Sequence, residues 1–570
     1  MLLVKGGTFF DGRGTKGRRC DLLVRDGRVA EISETPVQVD AETIDATGCW
    51  VTPGFVDLHT HYDAEVELLP DLSESIRHGV TTVALGSCSL SLAVGTAVNL
   101  ADMFCRVEAI PRTVVLPLLE QAKTWNGPAS YYEHLAALPL GPNLCSFLGH
   151  STIRMEAMGI ARSLDRKTKP TEEELLKMES LLREALDAGY MGLSIQTLRW
   201  DKMDGEAFRS RPMPSVFARW SEYRRLARQL RDRGRVLQGV PDLTTKLNVI
   251  LFYCMSTGVF RRALKTTIIS LMDVKADRIA FRIAGWLATF FNRWLGADFR
   301  LQALPEVFDL WADGIDLVVF EEFGAGTAAI HLQDAVKRNE LLRDPAYRER
   351  FKKDWRRRFA PKVFHRKLSH CKILACPDQA LVGKTFTEVG RERGVDEVDA
   401  YLDLVVEHGS ALRWFTVAGN DRPHALEWIV SHPDVLIGFS DAGAHLRNMA
   451  HYNFPLRLLR LARDSGCMTI ERAVHRLTAE IGDWLGIDAG TLAPGKRADV
   501  AIVDPAGLDD TLEQVQEVEM PRFGGLKRLV RRNDRAVRAV LVNGRVAWRA
   551  GEKAPGLGVE RGFGQLLRVT

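Results

Sequence analysis

The sequence lacks the features that would assign it to several specialised classes of protein. Its nine cysteines are odd in number and include no C-x-x-C pair, which excludes a disulfide scaffold and indicates reduced thiols. No apolar run approaches the roughly 20 residues of a transmembrane helix. Residues 1–7 lack the charged and then apolar plan of a signal peptide. We therefore expect a cytoplasmic protein with no integral membrane segment.

A large excess of charge of either sign is also missing. The net charge is only +4 in 570 residues, so there is no electrostatic case for nucleic acid, and no nucleic-acid motif is present. With 46% hydrophobic and 26% charged residues, the composition is that of an ordinary globular protein. The length suits one barrel of about 250 residues or more together with a second module.

The two ends of the chain share a pattern of short strands and turns. Asp26-Gly27 and Asn543-Gly544 each separate two apolar runs, as in β-hairpins. Between the ends, short apolar runs alternate with helical stretches, which predicts a parallel α/β sheet. These runs are Thr81–Gly86, Met191–Ser194, Arg235–Gln238, Thr267–Ser270 and Leu317–Phe320.

A strongly basic stretch interrupts the alternation. Residues 343–358 are rich in arginine and lysine and compatible with a helix, and we expect them to lie in an insertion at about 343–375. A charge run of this kind is usually a solvated face. A lid over an acidic substrate is the alternative.

A short segment near the start of the chain gives the strongest indication of a metal site. His59-Thr60-His61 ends an apolar run, Val51–Leu58, that we predict to be a β-strand. Because side chains alternate along a strand, His59 and His61 point the same way and can bind one ion. Two imidazoles suit a borderline divalent metal such as zinc, although two histidines hydrogen-bonded in a loop would look the same.

The context of this pair resembles a known superfamily. The run 53–63 is similar to the first-strand signature of the amidohydrolase superfamily, and 435–443, which includes Asp441, to its last barrel strand. The resemblance implies an α/β fold: a metal-dependent (β/α)8 TIM-type barrel at 53–487. It also implies a small composite β-sandwich built from both chain ends, 1–52 and 488–570, because 490–504 is similar to the superfamily's C-terminal signature.

Further blocks narrow the resemblance to the N-acyl-D-amino-acid deacylases, or D-aminoacylases. These blocks are Tyr62–Glu65, His78–Val83, Gly86–Cys88, Leu148–Arg154 and Gly192–Ser194. In that family the cysteine of the second strand is a metal ligand, and here this position is Cys88. The resemblance therefore implies His59, His61, Cys88 and Asp441 as metal ligands. A small buried hydrophobic residue is the other interpretation of Cys88.

Two histidines that the family uses for its tighter metal site are missing. The ends of the fifth and sixth strands correspond to residues 237–242 and 269–273, and neither segment contains histidine. We therefore expect one divalent ion, zinc, rather than two. Two alternatives stay open: Asp242, Asp273, Asp277 or His331 could bind a second ion, or the barrel could have lost hydrolysis and only bind.

The expected reaction is hydrolysis of the amide of an N-acyl amino acid, of the D series by resemblance. Asp441 would accept a proton from the attacking water and deliver it to the leaving amine. A substrate carboxylate calls for a cation, and Arg447 is the first candidate, with a surface ion pair as the alternative. His150 and His445 are further candidate substrate contacts, and for His150 a structural hydrogen bond is equally plausible.

Two rival functions and one aromatic segment complete the expectations. A cyclic-amide hydrolase of the hydantoinase or dihydroorotase kind is the rival among enzymes, and a metal-poor binding barrel is the rival outside them. Residues 281–295 are rich in aromatic side chains, which predicts packing against the barrel; an acyl pocket, a subunit interface or peripheral membrane contact are the other interpretations. The expected partner is a small molecule, and a homo-oligomer is compatible with the sequence.

Overall fold

A parallel barrel forms the centre of the protein. The structure is a computed structural model that describes residues 1–242, 246–332, 334–357 and 362–569. Within these residues eight parallel strands follow one another around the barrel, which closes where Phe439 pairs with His59. The strands are Phe55–Asp57 continued by His59–Thr60, Val80–Leu85, Asn143–Gly149, Gly192–Gln196, Val236–Val240, Lys265–Ile268, Asp298–Gln302, and Val435–Leu436 continued by Phe439–Ala442. The expected barrel class is confirmed.

Helices connect consecutive barrel strands and cover the outside of the barrel. The long helix before the fourth strand begins with a capping box, in which Thr171 and Glu174 bond each other's backbone N–H, and ends at Gly189 with φ +99°. In chain order the barrel helices are Glu65–Leu68, Ser73–Arg77, Ala97–Val107, Arg112–Ala122, Pro128–Ala137, His150–Met158, Ile160–Ser163, Glu172–Ala188, Trp220–Arg233, Lys246–Ser256, Ala280–Trp294, Phe454–Ser465, Ile470–Leu477 and Ala479–Leu485, with a 3₁₀ turn at Pro214–Phe217.

Both chain ends contribute to a second sheet, as the fold class predicted. In the described part of the chain it has nine strands, and its centre is the antiparallel pair Trp50–Pro53 and Val500–Val503. The other strands are Leu2–Phe9, Arg18–Arg25, Arg28–Ser33, Glu42–Asp45, Val537–Val542, Arg545–Arg549 and Glu552–Lys553. The C-terminal part also contains a separate hairpin, formed by Gln516–Met520 and Leu526–Val530. It contains 3₁₀ turns at Pro505–Gly507, Asp510–Glu513 and Pro521–Phe523.

The predicted strand Val51–Leu58 is divided between the two sheets. Trp50–Pro53 belongs to the composite sheet and Phe55–Asp57 to the barrel, with Gly54 between them. A Cβ atom on Gly54 would lie 2.1 Å from Thr81 Oγ1, so only glycine allows the two sheets to approach here. This crossing places the two histidines at the carboxyl end of the first barrel strand.

The prediction of a strand at Leu317–Phe320 is wrong. Val318–Glu322 is a 3₁₀ helix, and its apolar side chains are buried in a separate core. A short buried apolar run does not distinguish a strand from a buried helical turn. The seventh barrel strand is instead Asp298–Gln302, in which Phe299 and Leu301 are buried.

A large excursion leaves the barrel between the seventh and eighth strands. It spans 303–434, includes the basic segment at 343–375, and has its own apolar core. Its strands Phe308–Asp313, Lys372–Ala375 and Arg413–Gly419 form one sheet. Its helices are Gly324–Ile330, Ala335–Arg343, Pro345–Trp355, Phe386–Arg393, Glu397–His408 and Pro423–Ser431, with 3₁₀ turns at Val318–Glu322, Leu368–His370, Gln379–Leu381 and Gly409–Ala411.

The basic helix Pro345–Trp355 is held to the excursion by its two faces. Tyr347, Phe351 and Trp355 are buried. On the other face, Arg348 lies 2.6 Å from Asp403 and Lys352 lies 3.0 Å from Asp399. These cations pair with acids of the neighbouring helix, so the geometry agrees with a structural charged face rather than a lid.

The part of the chain described by the structure contains no helix that is long and apolar enough to span a membrane.

Candidate metal centre and substrate cavity

Four potential ligands meet at the carboxyl ends of the barrel strands. One donor atom from each of His59, His61 and Cys88 lies within 4.8 Å of the others, the one such group of three among the described residues. Cys88 Sγ is 3.4 Å from His59 Nε2. Asp441 Oδ1 lies 3.4 Å from His61 Nε2 and 3.7 Å from His59 Nε2. The sequence-predicted ligands are therefore brought together by three different strands.

The backbone turns sharply where two of these ligands stand. Cys88 has φ 53° and Asp441 has φ 57°, both in the left-handed region that ordinary side chains rarely adopt. Each follows or ends a barrel strand, so the turn directs the side chain over the barrel instead of along it. Strain of this kind persists where the surrounding structure enforces it, and it concentrates at functional sites.

Hydrogen bonds orient His59 for metal binding. Its Nδ1 lies 2.8 Å from Gln302 Oε1 and can donate to it, which leaves the lone pair of Nε2 facing the cluster. Burial lowers the pKa of His59 to about 4, so the imidazole is neutral at physiological pH. A neutral imidazole is the form that coordinates a metal.

The Asp441 side chain is ionised in this setting. Burial alone would raise its pKa, but the hydrogen bond from His61 and the charge of His61 hold the pKa well below its ordinary value. Two imidazoles, one thiol and one carboxylate match the ligand set that zinc accepts, so the residues fit a divalent ion.

A second carboxyl group supports the cluster from below. Asp57 Oδ1 accepts a 3.3 Å hydrogen bond from the backbone N–H of His59, and Ser440 donates to Oδ2. Burial raises the pKa of Asp57 to about 8, although Ser440 opposes the shift. Asp57 thus links the first and last strands directly beneath the ligands.

The positions of the two missing histidines contain other groups. Gln238, on the fifth strand, lies with its Nε2 3.1 Å from His59 Nδ1, and its Oε1 accepts from the backbone N–H of Cys88 at 3.3 Å. Ser270 lines the adjacent cavity. Gln238 therefore holds the backbone at Cys88.

Three of the alternative ligands for a second ion are engaged elsewhere. Asp273 is paired with Arg422 at 2.7 Å and with Arg278 at 2.9 Å. Asp277 accepts hydrogen bonds at the start of the helix Ala280–Trp294, and His331 Nε2 lies 2.7 Å from Glu321. None of the three joins the His59 cluster.

Arg447 does not lie with the metal ligands. Its guanidinium is 2.9 Å from Asp313 and 3.2 Å from Glu517. Both carboxylates neutralise the charge that a substrate carboxylate would need. This geometry agrees with the alternative interpretation, an ion pair at the surface of the excursion.

The two candidate histidines have different surroundings. His150 is buried, with Nδ1 3.0 Å from Ser215 Oγ and Nε2 3.1 Å from Glu222, which makes it part of a structural network. His445 lines the same cavity as His61, Cys88 and Asp441. Burial lowers the pKa of His445 against the opposing charges of Asp441 and Asp201. His445 therefore lines the cavity, whereas both ring nitrogens of His150 are engaged by Ser215 and Glu222.

An apolar cavity of about 170 Å³ opens above the ligands. Its walls come from the ends of the fifth and sixth strands and from the excursion. The wall residues include Trp200, Val240, Ile269, Met272, Val274, Phe308, Val318, Val319, Val363, Phe439 and Met449. The aromatic helix at 281–295 is not among them. An acyl group entering this space would contact mainly apolar side chains.

Asp201 is a cavity residue that sequence reasoning missed. It lies in the loop after the fourth strand, its carboxylate accepts from Gln196, and its charge acts on His61, Cys88 and His445. A carboxylate shortly after a predicted barrel strand is the signal that could have found it, because catalytic groups gather at these strand ends.

An outer chamber of about 760 Å³ continues from the cavity. The two spaces share Val107, Trp200, Asp201, Val318 and His445. Lys202 lines the outer chamber and is 9% exposed. Among the described residues no carboxylate lies within ion-pair distance of its ammonium group, and burial lowers its pKa although Glu321 and Asp201 oppose this.

Comparison with known proteins agrees with this arrangement. The sequence pattern of the amidohydrolase family matches residues 42–234. An uncharacterised protein of Mycobacterium tuberculosis is 47% identical over 562 residues, 97% of this chain and 92% of the relative. The N-acyl-D-aspartate deacylase of Alcaligenes xylosoxydans xylosoxydans is 24% identical over 97% of this chain and 94% of its own.

A solved structure shares the fold. The N-acyl-D-glutamate deacylase of Bordetella bronchiseptica, complexed with zinc and a phosphonate mimic of the tetrahedral intermediate, has a TM-score of 0.65 at 23% identity, covering 100% of this chain and 99% of its own. Residues 42–234 of the chain match the amidohydrolase family, and the barrel and the ligand cluster agree with a hydrolase of that superfamily. The resemblance of the chain to the D-aminoacylases is confirmed.

Proposed function

We propose that the protein hydrolyses the amide bond of an N-acyl amino acid, of the D series by kinship, with a single zinc ion held by His59, His61, Cys88 and Asp441. The observation that carries this proposal is the meeting of these four donors, three of which, His61, Cys88 and Asp441, line the apolar cavity. The relatives named for N-acyl-D-aspartate and N-acyl-D-glutamate support the substrate class.

The reaction requires a nucleophile and a proton carrier at the same place. A bound divalent ion lowers the pKa of water and polarises the amide carbonyl. Asp441, ionised beside His61, takes the proton from the attacking water. The oxygen of that water bonds to the acyl carbon. As the C–N bond breaks, the same carboxyl group returns the proton to the amine, and the acyl group leaves as a carboxylic acid that then ionises in water. The neutral imidazole of His445 is available to hydrogen-bond the substrate.

Substrate binding divides between the two spaces. The apolar cavity accepts the acyl group, and the amino-acid half extends into the outer chamber. Lys202 is the cation that binds the amino-acid carboxylate, because its charge has no carboxylate partner among the described residues whereas Arg447 has two.

Replacing Lys202 tests this assignment against a matched control. For Lys202→Met we expect KM for N-acyl amino acids to rise by about 10- to 100-fold, since a hydrogen bond to a charged group contributes about 1.5–3 kcal/mol. For Arg447→Ala we expect KM to stay within about twofold, because exposed ion pairs contribute about 1 kcal/mol or less and this arginine is already occupied. A larger effect of Arg447→Ala than of Lys202→Met on KM would contradict the assignment.

The apolar cavity predicts a preference for longer acyl chains. Each buried methylene contributes about 0.8 kcal/mol, so kcat/KM should rise by up to about fourfold per carbon from acetyl until the cavity is filled. The measurement is kcat/KM across a series of N-acyl-D-amino acids. Met272→Gln, a polar change of similar size in the cavity wall, should reduce the gain for long chains while sparing acetyl. A series that favours acetyl would argue against the cavity as the acyl site.

The reaction class is tested by a substrate panel on the zinc-loaded protein. We expect turnover of N-acyl-D-amino acids and little or none of N-acyl-L-amino acids, hydantoins or dihydroorotate. Preferred turnover of a cyclic amide would replace the proposal with the hydantoinase-like alternative, and binding without turnover of any amide would favour a binding barrel.

A further inference from the structure

Two neighbouring barrel helices have apolar residues on their outer faces as well as on the faces that pack inward. In the helix Ala280–Trp294, Phe281, Gly285 and Ala288 are buried against the barrel. The outer side of this segment has a second apolar stripe, and its residues are exposed by 47–70%: Ile279, Ile283, Trp286, Phe290 and Trp294. A surface helix normally has polar residues on this side, so we expect another surface to pack on the stripe.

The adjoining helix Lys246–Ser256 extends the same surface. Tyr253 holds the two helices together, with its hydroxyl 2.7 Å from the carbonyl of Ala284 and its ring 5.2 Å from that of Phe291. On the outside of this helix Leu247 is 64% exposed and Ile250 43% exposed, and Phe260 beyond it is fully exposed. A contiguous apolar surface of this size marks an interaction site.

Within the two segments that form this surface, the charged side chains are all positive. The segments 246–262 and 279–295 contain no aspartate or glutamate. Their exposed arginines are Arg261, Arg262, Arg282 and Arg293, and none of these forms an ion pair with a carboxylate among the described residues. Asp277, the nearest acid before the second segment, is engaged in accepting the N–H groups of Ile279 and Ala280, both at 3.1 Å.

We propose that this surface, formed by 247–262 and 279–294, docks the protein onto an anionic lipid bilayer. Tryptophan side chains favour the membrane interface, where the ring contacts acyl chains and the N–H remains near water. Arginines beside them attract the anionic headgroups of the bilayer. A second copy of this chain would bring the unpaired arginines of both copies together, so the charge pattern favours lipid over self-association.

The two helices of the docking surface follow loops that line the apolar cavity. Val240 and Pro241 precede the first of its helices, Met272 and Val274 precede the second, and all four line the cavity. A bilayer on this face would supply lipophilic N-acyl amino acids to the cavity. This last step rests on the proposed function, whereas docking itself does not.

Co-sedimentation with lipid vesicles tests the docking without reference to catalysis. We expect the full-length protein to sediment with phosphatidylglycerol vesicles, to bind phosphatidylcholine vesicles weakly, and to dissociate as salt is raised, because salt screens the arginine charges. Trp286→Glu and, separately, Phe290→Glu should weaken binding by at least about tenfold, since each places a charge where apolar burial contributed 1.5 kcal/mol or more. Both side chains are exposed, so neither change opens the core.

Leu176→Glu is the matched control. Leu176 is 54% exposed on the helix Glu172–Ala188 and should leave vesicle binding unchanged. Equal loss of binding in this variant, or no binding of the wild type to phosphatidylglycerol, would overturn the proposal. So would sedimentation equilibrium showing a dimer that Trp286→Glu converts to a monomer, with no vesicle binding by either.

Discussion

Asp441→Asn should reduce kcat by about 10²- to 10⁴-fold, the contribution typical of a positioned general acid or base. Asparagine keeps the shape of the side chain and can still contact His61, 3.4 Å from the present carboxylate oxygen. It cannot take a proton from water or return one to the amine. The measurement is kcat on the best N-acyl-D-amino acid, with bound zinc determined on the same sample so that loss of metal is separated from loss of proton transfer.

Asp313→Asn serves as the control for this change. Asp313 binds Arg447 and Arg413 in the excursion and has no part in the ligand cluster. We expect its kcat to stay within about twofold of the wild type, because the pairs it forms are partly exposed and contribute little. A folded, zinc-loaded Asp441→Asn protein with kcat within tenfold of the wild type would remove Asp441 from the proposed chemistry.

His61→Ala and His59→Ala should each abolish zinc retention and turnover together. In the ligand cluster each imidazole supplies one of four donors, and the described residues contain no other group of three such donors. A protein with two complete metal sites could keep one ion after such a change. Here we expect elemental analysis after dialysis to find less than about a tenth of an ion per chain, given how strongly zinc binding depends on a full ligand set.

His150→Gln provides the matched histidine control. His150 is as buried as His59, but its partners are Ser215 and Glu222 rather than the metal ligands. Its replacement should lower the free energy of unfolding by about 1–3 kcal/mol through a lost buried hydrogen bond and leave zinc content unchanged. Loss of zinc in His150→Gln, or full retention in His61→Ala, would contradict the ligand assignment.

The sequence predicted those parts of the site that depend on local geometry. Alternation along a strand placed His59 and His61 on one side, and the last-strand motif supplied Asp441. The ligand role of Cys88 was implied by the family resemblance, and its left-handed backbone conformation is visible only in the structure. The alternation of apolar runs predicted a parallel sheet, whereas the barrel and the composite sheet built from both chain ends were implied by the resemblance.

What the sequence could not predict are contacts made across long stretches of chain. Asp313 lies 134 positions before Arg447, and Glu517 lies 70 positions after it. The three side chains meet because the excursion and the hairpin Gln516–Met520 with Leu526–Val530 fold against each other. The seventh strand was missed because Asp298 and Arg300 interrupt its apolar residues. Leu317–Phe320 was misassigned because burial in a second core produces the same apolar run as burial in a sheet.

The central claim is that one ion at the His59 cluster supports catalysis without the second site of the family. Titration of the metal-free protein with zinc, following bound metal and turnover of an N-acyl-D-amino acid together, tests it most directly. We predict that both rise in parallel and saturate at one equivalent per chain. Full turnover in the metal-free protein, or turnover that begins only with a second bound equivalent, would contradict the account.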